Sequence, residues 1–221
     1  MKSKLPEKIK TLAGFTILLM LLTGYGCGSL QTLEQIYDTQ DPYLGSPYPE
    51  TLDSWTRKCR IYMGGLDLEL IAAVTFKSLP FRKAYAAEYA RVYKLDRAEQ
   101  EKMLQDQTES AKMYNDFIVS AFLPDKRWND FNTKETIWKV YLSRSADVRI
   151  KPIEVRRVKP VDAVLTHFFP YISPWDVVYL IRFPALLPGT NDPVYSAETT
   201  PIKLMITSVR GWAELTWSGK N

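Results

Sequence analysis

The amino-acid sequence predicts a mainly β domain with an α-helical insertion, an α+β fold in which about seven strands form an immunoglobulin-like β-sandwich and a helical hairpin follows the first strand. Three features carry that expectation. Apolar side chains alternate with polar ones from residue 66, and a period near two returns in short segments after residue 116. Between these stretches, residues 80–114 hold apolar and aromatic side chains at helical spacing. Turn-forming residues separate the later segments, as antiparallel connections require.

The chain has 221 residues and opens with Lys2, Lys4, Lys8 and Lys10, an apolar run over residues 12–22, and Thr23-Gly24-Tyr25-Gly26 before Cys27. A cationic end, a short apolar core and small residues at the cut are the layout of a secretory leader, here residues 1–26. The apolar run falls well short of the roughly 20 residues a membrane-spanning helix needs. Gly26-Cys27 resembles the end of the lipobox of bacterial lipoproteins, in which a small residue precedes a cysteine that is acylated and becomes the new N-terminus. The resemblance implies cleavage before Cys27, lipidation of its sulfur with palmitate-type chains and, with Gly28 where Asp would retain the protein at the inner membrane, a place on the periplasmic face of the outer membrane. Three acyl chains, at about 0.8 kcal/mol per buried methylene, make such an anchor effectively permanent. An ordinary secreted leader, leaving Cys27 as a plain thiol, and an uncleaved anchor are the competing readings of the same segment.

Removal of the leader takes away four lysines and Glu7, leaving 25 basic residues against 24 acidic ones, so the net charge falls from +4 to +1. The basic balance of the whole chain is therefore no argument for nucleic-acid binding, and none is expected. With Cys27 lipidated, Cys59 is the only remaining cysteine and no intramolecular disulfide forms. Without lipid, a bridge between Cys27 and Cys59 is open. Flanked by Lys58 and Arg60 at the start of an expected strand, Cys59 itself reads as a small half-buried side chain.

Residues 27–56 read as a lipidated N-terminus and flexible tether, rich in Gly, Pro and Ser turns, with a short helix at residues 33–37. A single globular domain follows over residues 57–221, large enough to bury a core without disulfides. Its opening strand places Leu66, Leu68 and Leu70 against Asp67 and Glu69 and continues through the apolar residues up to 76, with Gly64-Gly65 marking a bulge or break. In the insertion, Pro80 fits a first helical turn, and Phe81, Tyr85, Tyr89 and Val92 share one face. Asp96 with Glu99 forms a capping box for a second helix through Met103, Leu104 and Ala111. Further strands are expected at residues 116–123, 137–142, 148–158, 177–183, 204–209 and 212–217. Arg210-Gly211 joins the last two as a tight hairpin, and residues 161–169 form a short crossing helix.

The chemistry-bearing residues are few. His167 is the only histidine, zinc-ligand spacing is absent, and there is no nucleophile elbow, phosphate loop or dinucleotide fingerprint. The sequence thus points to a non-enzyme with no cofactor and no metal. Residues 125–132 carry acidic and amide side chains but lack the order of a calcium loop, so Trp128 and Phe131 read as loop anchors.

Two surfaces are candidates for contact. Phe169, Tyr171 and Trp175 lie in an aromatic, proline-bearing loop suited to protein or glycan recognition, and equally suited to plugging one end of the sandwich. Arg149, Arg156 and Arg157, with Lys151 and Lys159, lie along one strand segment, either as a cationic stripe for lipid headgroups or peptidoglycan carboxylates or as a solvated protective edge. The expected function is that of a membrane-anchored envelope lipoprotein acting as a non-catalytic structural or protein-interaction module, with another envelope protein or the cell wall as partner. Two alternatives come from other classes. A carrier of a lipid or other apolar ligand would need an apolar cavity of about 300 Å³ or more between the helical hairpin and the sheet. A hydrolase would need a cleft gathering His167 or paired carboxylates.

Overall fold

The computed structural model describes residues 42–145, 148–187, 189–196 and 201–218. The leader, Cys27 and the helix expected at residues 33–37 lie outside them. The chain divides after Gly45, and the unit from Ser46 onward contains every named element. Among the described residues that unit is mixed α+β, with nine strands in two antiparallel sheets and four helices. None of the helices is long and apolar enough to cross a membrane.

The first element is a helix, α1, over Tyr48–Trp55. The sequence reading put these residues in the tether because of their prolines, but Pro47 sits at the start of the helix, where its missing N–H costs nothing. Tyr48 and Leu52, four residues apart, point the same way and are buried.

Strands β1 (Thr56–Met63) and β2 (Asp67–Phe76) form a hairpin. Gly64 and Gly65, both in the left-handed region, make its turn instead of a bulge within one strand. Leu66 therefore stands in the connection, exposed, and Leu70 is the leucine of that trio that enters the core. The helical hairpin consequently follows the second strand, not the first. Helix α2 (Leu79–Tyr93) starts on Ser78, whose hydroxyl accepts from Phe81 N–H, and ends on Lys94 in the left-handed conformation. Helix α3 (Arg97–Met113) carries the expected capping box: Glu99 N–H donates to Asp96 and Asp96 N–H donates to the Glu99 carboxylate. It buries no residue, so α3 lies on the outside of the hairpin.

The remaining strands are β3 (Tyr114–Phe122), β4 (Lys139–Ser145), β5 (Val148–Ile150), β6 (Glu154–Arg157), β7 (Val177–Pro184), β8 (Ile202–Ser208) and β9 (Gly211–Trp217), with helix α4 (Ala163–Phe168) before β7. The single strand expected over residues 148–158 is in fact two. Chain 151–153 breaks it at Pro152, which has no N–H for a ladder, and β5 joins one sheet while β6 joins the other.

One sheet runs in the order β1-β2-β3-β7-β6 and the other β5-β4-β8-β9. Their inner faces share one core, built from Leu70, Val74, Phe117, Val119 and Ile181 on the first and Leu142, Leu204, Ile206 and Trp217 on the second. The two sheets converge at β1 and β9, where Arg57 Nε donates to Thr216 O at 3.0 Å and Trp217 Nε1 donates to Trp55 O at 2.8 Å. The outer face of the five-stranded sheet is covered in part by helices. Tyr48, Phe81, Tyr85, Phe168 and Phe169 make a second aromatic cluster there, with the Tyr85 and Phe168 rings 4.6 Å apart. Tyr48 Oη donates to Phe168 O at 2.7 Å, tying α1 to α4.

Candidate functional site

The helical layer is fastened to the sheet by charge. Asp116 on the outer face of β3 accepts from Arg82 of α2 at 2.9 Å and from Arg182 of β7 at 2.8 and 3.1 Å. Arg82 and Asp116 are almost wholly buried. Burial pushes the Asp116 carboxyl up, but the hydrogen bonds from Arg182 and Arg82 outweigh it and hold the group below the usual carboxylate range. A guanidinium pair converging on one carboxylate fixes the angle of α2 on the sheet. The cluster is fully occupied with its own partners, which suits it to positioning.

His167 lies in the last turn of α4 beside Glu88 of α2, with Nε2 3.3 Å from Oε1. The other partners of Glu88 are Ser46 Oγ, which donates at 2.7 Å, and Arg91, which donates at 2.6 and 2.8 Å. The Arg91 hydrogen bonds, working against burial and helped by Ser46 and His167, hold the Glu88 carboxyl at about 2. Ser46 bonds to the carboxylate directly, so the serine, histidine and glutamate do not form the relay a nucleophilic hydroxyl would need. This cluster is a latch joining the start of the domain to α2 and α4. Cys59 lies half-buried against the core, and burial pushes its thiol up to about 11, away from thiolate reactivity. No group of three or more metal-ligating side chains occurs among the described residues.

The aromatic loop divides between two roles. Phe169 is buried in the second aromatic cluster, and the Tyr171 hydroxyl lies 2.7 Å from that of Thr75, so both rings close the outer layer. Trp175 remains 70 % exposed, with Lys126 Nζ over its ring at 6.0 Å. The three arginines are all exposed: Arg149 on β5 and Arg156 and Arg157 on β6. Both strands are sheet edges on the side away from the β1 and β9 junction. Arg156 is paired with Glu154 at 3.0 Å.

A third surface, not foreseen from the sequence, lies where the hairpin tips meet. The β1–β2 turn exposes Tyr62, Met63 and Leu66, the last at 89 %, and the β8–β9 turn exposes Val209 at 90 % and Trp212 at 68 %. The Arg210 and Glu69 side chains join the two tips in an ion pair. Antiparallel register brings the segments after β3 and before β7 to the same end, since Ile71 pairs with Phe122 and Ala121 with Val177. Trp175 thus belongs to this end, and so does the loop fastened by Asp125 and Arg127. Isolated apolar residues on a surface are ordinary, but large ones gathered on adjacent turns make a candidate contact face. The signal was present in the sequence as Leu66, Val209 and Trp212 beside turn residues; only the convergence of the sheets brings them together. Comparison with known protein families, curated proteins and solved structures gives no match.

Proposed function

We propose that this chain is a membrane-anchored envelope lipoprotein, lipidated at Cys27, whose two-sheet body is a non-catalytic docking module for another envelope protein. In its layering, two packed antiparallel sheets around one core, the body is immunoglobulin-like, and that likeness is part of the same proposal. The observation that carries the reading is the end of the molecule bearing Leu66, Trp175, Val209 and Trp212. These side chains leave a large apolar area in water, and Trp supplies rigid contact area at low entropic cost. The exposed Arg149, Arg156 and Arg157 form a separate edge that suits anionic envelope surfaces.

The test is site-specific photocrosslinking in cells that make the full chain. A photoreactive side chain at position 212 is expected to give one discrete adduct, weakened at least about fivefold by Leu66→Ser with Val209→Ser, in keeping with the loss of contact-centre residues. The same probe at position 104, on exposed α3, is expected to give none. Equal labelling from both positions, or no adduct from position 212, overturns the docking assignment.

A further inference from the structure

Strand β4 is paired with β8 along residues 139–143, but on its other side β5 pairs with it only from Leu142 onward. The edge at residues 139–141 is therefore open on the β5 side. The cause is local. Leu142 faces Ile150, so in the same register Val140 would face position 152, and there the chain holds proline, which has no N–H for a ladder. The chain then leaves for the other sheet, and among the described residues no backbone hydrogen bond replaces the missing strand.

A groove of about 600 Å³ opens at this gap. Trp138, Lys139, Val140 and Tyr141 line it in unbroken succession. Neighbouring side chains on a strand point to opposite faces, so a groove that touches all four lies against the edge of the strand and not against either face. Pro152 and Val155 line it as well. Its charged members are Lys134, Lys139 and Lys151, all exposed, and none takes part in an ion pair among the described residues. No acidic side chain lines it. The Lys139 ammonium is held at the groove, since Nζ donates at 3.2 Å to the carbonyl of Thr136, another lining residue.

An unpaired strand edge is a template for one more strand, and a chain that adds to it gains main-chain hydrogen bonds whatever its sequence. Charge then selects. Val140 and Leu142 face the core, which puts Lys139 and Tyr141 on the outer face of β4. An added strand would set every second side chain beside those two and the others toward Val155, on the inner side. Carboxylates fit the first set and small apolar or hydroxyl side chains the second. The open edge is three residues, about 10 Å long, so the complementary segment is short. Exposed Arg149 and Arg157, on the neighbouring β5 and β6, favour the same sign of partner.

We infer that this groove takes an extended acidic segment of a partner protein as an added strand beside β4, its carboxylates set against Lys139 and Lys151. Lys139 pairs with Thr207, two residues before the exposed Val209, so the groove adjoins the docking end. The inference rests on the docking assignment for its occupant being a protein, and it names the chemistry that occupant presents.

The probe is a fluorescein-labelled hexapeptide, Glu-Thr-Glu-Val-Glu-Thr with both ends blocked, titrated by anisotropy against the full chain in phosphatidylcholine nanodiscs. Saturable binding is expected, with slowed hydrogen exchange at the amides of residues 138–142. The counterpart with lysine for each glutamate should not bind, and citrate, a small trianion without a backbone, should not displace the probe at equal charge. N-methylation of the central peptide nitrogens should weaken binding about five- to tenfold, as loss of main-chain hydrogen bonds requires. Lys139→Glu with Lys151→Glu, both on the surface, should weaken it at least about tenfold. Should that variant unfold, the changes made in the peptide decide alone. Absence of binding, equal binding by the N-methylated peptide, equal displacement by citrate, or protection confined to other strands overturns the inference. Leu66→Ser with Val209→Ser should leave probe binding within about twofold. A discrete adduct from position 212 without probe binding therefore sinks this inference alone, and probe binding without that adduct sinks the docking assignment alone.

Discussion

At the scale of single residues, the structure depends on two buried carboxylates whose work is to hold helices. Asp116 is the shared acceptor for Arg82 and Arg182, so Asp116→Ala leaves the buried Arg82 guanidinium without a carboxylate partner, while the partly exposed Arg182 keeps Glu154 at 3.5 Å. Breaking a buried ion pair from one side costs about 3–5 kcal/mol, and a loss of that order is expected in urea unfolding of the variant. A loss under about 1 kcal/mol, the worth of a surface pair, would show that water reaches the cluster. Glu88 behaves differently because its charge is reversible. Its carboxyl is held at about 2, below its ordinary value of 4.5, by Arg91 chiefly, with Ser46 and His167 also bonded to it. A depressed carboxyl contributes stability above the ordinary value, and that contribution drains away as pH falls from 4.5 toward 2. Glu88→Gln should therefore lower stability by about 2–3 kcal/mol at neutral pH, and its unfolding curve should converge with that of the parent near pH 2. Parallel curves across that interval would place the acid sensitivity elsewhere.

At the scale of elements, local sequence signals were legible wherever a single segment carries its own pattern. The Asp96 and Glu99 capping box, Pro80 in the first turn of α2, α4, and strands β3 and β7 all stand near their expected places, because capping chemistry and apolar periodicity act within one stretch of chain. What could not be read depends on partners distant in sequence. Strand β1, with basic residues at 57, 58 and 60, reads in sequence as the start of one long strand broken at Gly64-Gly65, and only the return of β2 alongside it makes a hairpin. The division of residues 148–158 between two sheets depends on where those sheets lie. The aromatic loop singled out in the sequence divides: Trp175 is exposed, while Phe169 and Tyr171 meet α2 and β2 and are drawn into packing, which depends on elements distant in sequence. The junction of β1 with β9 is the clearest case of a long-range constraint recorded in one residue. Gly211 has φ of +134°, and a Cβ on it would collide with the Ile61 side chain. Gly211→Ala should cost about 1–3 kcal/mol through combined strain and overpacking, and Ile61→Leu in the same chain, which removes the colliding Cγ2 methyl, should return part of it. Strict additivity of the two changes in a denaturation cycle would mean that the sheets do not meet there.

At the scale of the whole molecule, the folded body begins at about Ser46, and its first ten residues are structural. Tyr48 is buried and hydrogen-bonded to Phe168 O, Leu52 is buried, and Trp55 stacks edge-on to Phe76 at 5.8 Å while its carbonyl accepts from Trp217. Helix α1 therefore touches the aromatic layer outside the five-stranded sheet and, through Trp217, the core between the sheets. A chain lacking residues up to 45 keeps all of these contacts, whereas one lacking residues up to 56 loses them together with the Ser46 bond to Glu88. Exposing the surfaces that Tyr48 and Leu52 cover costs several kcal/mol, since removal of one large buried side chain alone costs about 2–5 kcal/mol. The shorter deletion is expected to unfold in one transition at a temperature close to that of the full chain. The longer one should melt at least about 10 °C lower, given that about 1 kcal/mol shifts the midpoint of a domain this size by 2–4 °C. Calorimetry on the two deletions checks the point: equal midpoints would return residues 46–56 to the tether, and a large gap fixes how much chain is left between Cys27 and the folded body. That remaining length sets how far the proposed docking end can reach from the proposed anchor at Cys27, because an extended chain spans at most about 3.3–3.6 Å per residue.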